Sequence, residues 1–199
     1  MDLFLIRHGQ SQADLMDVHE GRADFSLTEL GMRQAEAMAQ WMAREYALDC
    51  IYASTLLRAK QTALILAQAC GLEPDFDKEL MERDNGLLAG IDYKEAERLY
   101  PPAAALPVHR ALYGMEPLLD FRYRAERVIS RILEESHGRK AVAIVSHGNM
   151  INRLCHCLLR LPLESDVTFY TGDTGIHGWR LTDGRRAVLF ANRTGHLQK

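Results

Sequence analysis

The chain has 199 residues, 24 basic and 27 acidic, for a formal net charge of -3; 47% of its residues are hydrophobic and 26% charged. That composition excludes a disordered or fibrous chain, and the lack of a basic excess argues against a general nucleic-acid binder. No apolar run approaches the roughly 18 residues that a membrane span needs, so neither nucleic acid nor membrane is expected as a partner.

Leu3 to Ile6 is an apolar run ending in Arg7-His8-Gly9, and reads as a buried strand followed by a sharp turn at Gly9. Its flanks lack the basic region and cleavage pattern of a targeting segment. From Thr28 to Tyr46 the composition is helical, with Thr28 as N-cap and Leu30, Ala37, Met38, Trp41 and Met42 on one face. Ile51 to Ala53 is the next strand, and a helix from Leu56 to Cys70 should stop at Gly71. Phe76 to Leu80 reads as a third strand.

Asp92-Tyr93-Lys94-Glu95 has the form of a capping box and predicts a helix that ends before Pro101-Pro102. The irregular stretch from Pro101 to Pro117 suits a cap. A long helix is expected from Leu118 to Ser136, closed by His137-Gly138. Ala141 to Val145 is the strongest buried-strand run; it leads into Ser146-His147-Gly148 and a helix to Leu159. Residues 176–182 and 186–191 form a hairpin pattern around Asp183-Gly184. Strand and helix alternate, which predicts an α/β fold with a largely parallel sheet and helices on both faces. No repeat, low-complexity tract or linker interrupts residues 1–199, so one domain is expected. The cysteines, Cys50, Cys70, Cys155 and Cys157, are irregularly spaced and read as reduced, which suits a cytoplasmic protein.

In such sheets ligands bind beyond the carboxyl ends of the strands. His8 and His147 both fall there. A neutral imidazole can attack phosphorus, and Arg7 offers a planar cation for phosphoryl oxygens. If their strands are neighbours, both imidazoles face one phosphate. Arg58 sits near a helix N-terminus, where backbone N–H groups favour anions. Glu82 could protonate a leaving alkoxide and then deprotonate the water that attacks phosphohistidine.

Across nearly its full length the chain resembles the histidine phosphatase superfamily, which includes the cofactor-dependent phosphoglycerate mutases. The resemblance runs through Arg7-His8-Gly9-Gln10-Ser11 and the segment Gly21 to Gly31. It continues through Ala53-Ser54 with Arg58-Ala59 and Gln61-Thr62, then Leu80-Met81-Glu82 with Gly86 and Gly90. Ser146-His147-Gly148 and Asn192 with His196-Leu197 complete it. It implies a three-layer α/β/α sandwich with a cap insertion at about 87–117. It also implies His8 as the phosphorylated nucleophile, Arg7, Arg58 and His147 as the phosphate pocket, Glu82 as proton donor and base, and no metal or other cofactor.

Three departures stand out. Asp14 replaces an asparagine that in many members holds phosphate, and so either points away, or pairs with an arginine, or lowers turnover. Met115-Glu116-Pro117 replaces a Gly-Glu-Ser motif, while Arg124 still matches the arginine that follows it. Arg83 matches a mutase arginine that grips substrate, but the cap region between Glu95 and Asp120 holds only Arg98 and Arg110. The expected activity is therefore hydrolysis of a small phosphorylated metabolite, with Arg83, Asp14 and Ser11 as further substrate contacts. The alternatives are a phosphoglycerate mutase and a non-catalytic phosphate-binding module. A homodimer is left open. Cys155-His156-Cys157 resembles half a metal site but lacks a second cluster.

Overall fold

The computed structural model describes residues 1–102 and 106–198. A six-stranded sheet has the order β3-β2-β4-β1-β5-β6. Its strands are β1 (Asp2–Arg7), β2 (Cys50–Ser54), β3 (Pro74–Asp77), β4 (Ala141–Ser146), β5 (Ile176–Thr182) and β6 (Arg185–Arg193). β3, β2, β4 and β1 run parallel, while β5 is antiparallel to both β1 and β6. The mostly parallel α/β sheet is thus present.

Side-chain alternation splits β1 and β4 between two cores. Leu3, Leu5, Val142 and Ile144 pack with α5 (Leu118–Glu135) and α6 (Gly148–Leu159). Phe4, Ile6, Ala143 and Val145 pack with α2 (Glu29–Glu45) and α3 (Leu57–Cys70) on the other face. A continuous apolar run is what two covered faces require. Two short helices complete the set: α1 (Gln12–Met16) and α4 (Tyr93–Leu99). The Asp92 carboxylate caps α4 by accepting from Lys94 and Glu95 N–H.

Three expectations need correction. The third strand covers Pro74–Asp77 and not Phe76 to Leu80, because the Asp77 carboxylate accepts from Glu79 N–H at 2.8 Å and turns Lys78–Leu80 into a 3-10 helix. The inward face of α2 is Gly31, Ala35, Met38, Ala39 and Met42, and Leu30 is 43% exposed. The cause is Gly31, which lies directly against the Gln10 carbonyl and turns that face inward. Gly9 is not left-handed; it is needed because a Cβ there would strike the Gly31 carbonyl. The expected cap at 87–117 includes α4, but 103–105 within it lie outside the described residues.

Candidate active site

Because β1 and β4 pair with Arg7 opposite Ser146, the chain leaves both strands side by side. His8 N–H donates to the Ser146 carbonyl at 3.1 Å, and the His8 and His147 rings lie 5.1 Å apart. His8 is 1% exposed. Its Nδ1 lies 2.7 Å from the Gly9 carbonyl, which can only accept, so Nδ1 carries the proton. Nε2 therefore keeps its lone pair and accepts from Arg58 Nε at 3.2 Å. Burial lowers the His8 pKa well below the ordinary imidazole value, and Arg58 and Arg7 lower it further. The ring is a neutral base with a fixed tautomer.

His147 is the N-cap of α6. Its Nε2 lies 2.8 Å from the Ser54 hydroxyl, while its buried Nδ1 has no partner among the described residues. Burial, then Arg58 and His8, hold its pKa well below the usual range. Arg58, in the first turn of α3, is fully buried, with Nη1 and Nη2 donating to the Ala23 and Gly21 carbonyls at 2.9 Å each. Arg7 Nη1 donates to the Thr171 carbonyl at 2.9 Å, and its buried Nε has no partner among the described residues.

Glu82 is 7% exposed and lies across the N-terminus of α6. Its Oε2 accepts from Asn149 N–H at 3.0 Å, and its Oε1 from Met150 N–H at 3.1 Å and Arg83 N–H at 2.8 Å. A helix N-terminus holds a carboxylate in this way through its unpaired N–H groups. Arg124 braces the segment. It donates to the Glu79 and Met81 carbonyls at 2.7 Å each and to the Glu82 carbonyl at 3.2 Å. It also makes a two-pronged pair with Glu116, at 2.8 and 2.7 Å. Burial pushes the Glu116 carboxyl up, but Arg124, the Asp84 N–H and Arg22 together outweigh it and the net shift is downward.

The residues offered as further substrate contacts are already engaged. Asp14 Oδ2 turns back onto Ser11 N–H at 2.7 Å, capping α1, and Oδ1 lies 4.0 Å from Arg7. Ser11 donates its hydroxyl to Asp14 and to Glu20. Arg83 donates to the Glu116 carbonyl at 3.0 and 2.9 Å. It lines a second cavity of about 550 Å³ beneath α4, next to Leu106, Val108 and Tyr113. His156 of the Cys-His-Cys segment lies 2.7 Å from the Val167 carbonyl.

Two acidic residues escaped the sequence reading. Asp173 lies 3.6 Å from Arg7, and Glu20 places one carboxylate oxygen 3.1 Å from Arg58 Nε and the other 3.7 Å from His8 Nε2. The only sequence signal for Glu20 was its place just before Gly21, whose carbonyl holds Arg58. Arg7, His8, Asp14, Glu20, Glu82 and Asn149 line one cavity of about 500 Å³. The cavity thus sets the His8 imidazole beside Arg7 and the held Glu82 carboxyl, and behind His8 stand Arg58, 3.2 Å from Nε2, and the His147 ring, 5.1 Å away.

The sequence profile of the histidine phosphatase superfamily (branch 1) matches residues 3–194. Phosphoserine phosphatase 1 of Hydrogenobacter thermophilus is 29% identical over 199 residues, covering 98% of this chain and 93% of that protein. Phosphoglycerate mutase-like protein 4 of Arabidopsis thaliana is 32% identical over 210 residues, covering 99% of this chain and 90% of that protein. A mycobacterial glucosyl-3-phosphoglycerate phosphatase solved with VO3 superposes with a TM-score of 0.85 at 25% identity, covering 96% of this chain and 98% of that one.

Proposed function

Since the chain belongs to the histidine phosphatase superfamily, we propose that it hydrolyses small phosphate monoesters by way of a phosphoryl group carried on His8 Nε2. The observation that carries this reading is the tautomer. The Gly9 carbonyl takes the Nδ1 proton, and Arg58 points at the lone pair on Nε2. A structural histidine has no need to keep a buried, unprotonated nitrogen against an arginine.

The lone pair of Nε2 attacks phosphorus and the ester P–O bond breaks opposite it. Glu82 delivers a proton to the departing oxygen. Arg7, Arg58 and the His147 Nδ1–H neutralise the charge on the non-bridging oxygens. Water then attacks the phosphohistidine, Glu82 takes its proton, the P–N bond breaks and inorganic phosphate leaves. The protein part of this chemistry is positioning and charge stabilisation. Arg124 serves by fixing the backbone on which Glu82 rides.

Several relatives are named as phosphatases of small phosphorylated metabolites, which supports a small ester over a macromolecular substrate. The cap supports hydrolysis over mutase chemistry. Among the described residues of 87–117 the arginines are Arg98, exposed and 3.8 Å from Glu95, and Arg110, which lines the second cavity while Arg98 does not. The same reading takes residues 1–199 as one catalytic domain with a cap at about 87–117, acting without a metal or other cofactor. The free cysteines suit the cytoplasm.

The test is hydrolysis of p-nitrophenyl phosphate and a panel of metabolite phosphates in chelator-treated buffer, with rapid acid quench to trap labelled enzyme. Turnover with label on His8 is expected. Interconversion of phosphoglycerates without net hydrolysis would select the mutase, and saturable phosphate binding without turnover would select the binding module.

A further inference from the structure

Glu20 stands where the phosphoryl group has to go. An atom bonded to His8 Nε2 must occupy the space in front of that nitrogen, and a Glu20 oxygen is already 3.7 Å from it. The other oxygen lies 3.1 Å from Arg58 Nε, the group whose N–H donates to Nε2. The carboxyl is not free to swing aside. The Ser11 hydroxyl donates to it, and the next residue, Gly21, is tied to Arg58 through its carbonyl at 2.9 Å.

Among the described residues, the arginines next to Glu20 already have carboxylate partners. From the end of β1, Arg7 has Asp173 at 3.6 Å and Asp14 at 4.0 Å. From α3, Arg58 has Glu20 itself. Ser11 and Asp14 flank Glu20 from the start of α1, and His19 precedes it. Tyr93 of α4, Asp17 and Glu82 line the same cavity. Both imidazoles facing the pocket are neutral. A phosphate dianion entering this site with Glu20 ionised meets arginines already neutralised and a carboxylate at van der Waals range.

We propose that Glu20 is a substrate-binding residue that works in its protonated form: phosphate enters as Glu20 takes up a proton, and the resulting carboxylic acid donates a hydrogen bond to a non-bridging phosphoryl oxygen. The inference rests on the reading of this cavity as the phosphoryl site. It agrees with the direction in which the free group is poised. Burial pushes the Glu20 carboxyl up and Asp14 adds to that, while Arg58, the Ser11 hydroxyl and Arg7 pull it down, and the net shift is upward. A bound phosphate adds negative charge beside it and drives the same shift further. Hydrolysis then follows an acid-weighted profile set by binding and not by the nucleophile, which stays unprotonated.

The experiment is calorimetric titration of inorganic phosphate into the full chain between pH 5 and pH 8, in pairs of buffers with different ionisation heats. The proteins compared are the wild type, Glu20→Gln and Glu20→Ser. The amide is close in shape, keeps an acceptor for Arg58 and always has a donor; the serine controls for misplacement of the amide. Above the Glu20 pKa, wild type is expected to take up about one proton more per phosphate than either variant, so its affinity falls about tenfold more steeply per pH unit. At pH 8 the Glu20→Gln protein should bind phosphate about tenfold or more tightly than wild type. Equal proton uptake and equal slopes in all three proteins would overturn the role of Glu20 and leave the phosphatase reading standing. So would weaker binding by both variants at every pH, which would reduce Glu20 to a prop for Arg58. Absence of phosphate binding and of labelled enzyme in all three at any pH would overturn the phosphoryl-site reading itself, and this inference with it.

Discussion

A histidine that is to attack phosphorus must keep one ring nitrogen free of a proton, and at His8 the Gly9 carbonyl does this by claiming the other. Replacing the ring with His8→Ala is expected to abolish acid-labile phosphoenzyme and turnover while leaving the circular dichroism spectrum unchanged; retained label would sink the mechanism. Arg124 makes a different kind of contribution. It is a buried cation with five oxygen partners that together hold Glu82. Arg124→Ala leaves the half-buried Glu116 with only Arg22, 3.6 Å away, as a cation, and loses hydrogen bonds to charged groups worth about 2 kcal/mol. Urea unfolding should show that loss, and kcat should fall with KM little changed, since Arg124 does not face the cavity. Sequence singled out Arg7, His8 and His147 because they follow predicted strands, and Arg58 and Glu82 through the family resemblance; the structure sets Arg7, His8 and Glu82 on one cavity, with Arg58 and His147 packed next to His8. Glu20 and Asp173 were illegible because a carboxylate in a loop carries no pattern. Their meaning comes only from which arginine the fold sets beside them.

At the scale of elements, the approach of α2 to the turn after β1 is the tightest constraint near the nucleophile. Gly9 and Gly31 meet backbone to backbone, and a Cβ on Gly31 would overlap the Gln10 carbonyl. Gly31→Ala is expected to destabilise the fold by about 2 kcal/mol, in the range of core overpacking, and to reduce activity as well, because α2 and the His8 turn must part. Thermal unfolding together with steady-state rates checks both; a fully stable, fully active variant would refute the contact. Periodicity placed α2 by length and cap correctly, and Thr28 does accept from Gly31 N–H at 2.9 Å. It misplaced the inward face because large apolar residues such as Leu30 outweighed glycine in that reading, whereas close helix approach favours the residue with no side chain. α1 went unseen since five residues offer no period to detect. It matters nonetheless: it carries Ser11 and Asp14. The cap is tied to the same region, with His19 N–H donating to the Ile91 carbonyl at 2.9 Å and Gly90 N–H to the His19 carbonyl at 2.7 Å.

For the whole molecule, buried neutral histidines set how stability depends on pH. Burial lowers the pKa of His8 and His147 well below the ordinary value, and lowers His177 and His196 to about 4. In the unfolded chain all of them protonate near about 6.5. Below that pH the unfolded state binds protons the folded state refuses, so stability is full above about pH 6.5 and falls as pH drops toward 4, by up to about 1.4 kcal/mol per pH unit for each histidine. Glu20 and Asp173, raised by burial, act in the opposite sense and soften the loss. Urea midpoints between pH 7 and pH 4.5 should decline steadily; a flat profile would mean these imidazoles are not buried neutral. The proposed binding of phosphate through a protonated Glu20 and the stability of the fold thus pull in opposite directions on the pH scale. The pairing of β1 with β4 has one more consequence, for a chain still being made. His8 emerges early in synthesis and His147 much later, yet they share one seat across two adjacent strands. At roughly 5–20 residues per second, a nascent chain spends several seconds with β1 made and β4 still missing, so the proposed phosphate site cannot assemble until β4 is threaded between β1 and β2.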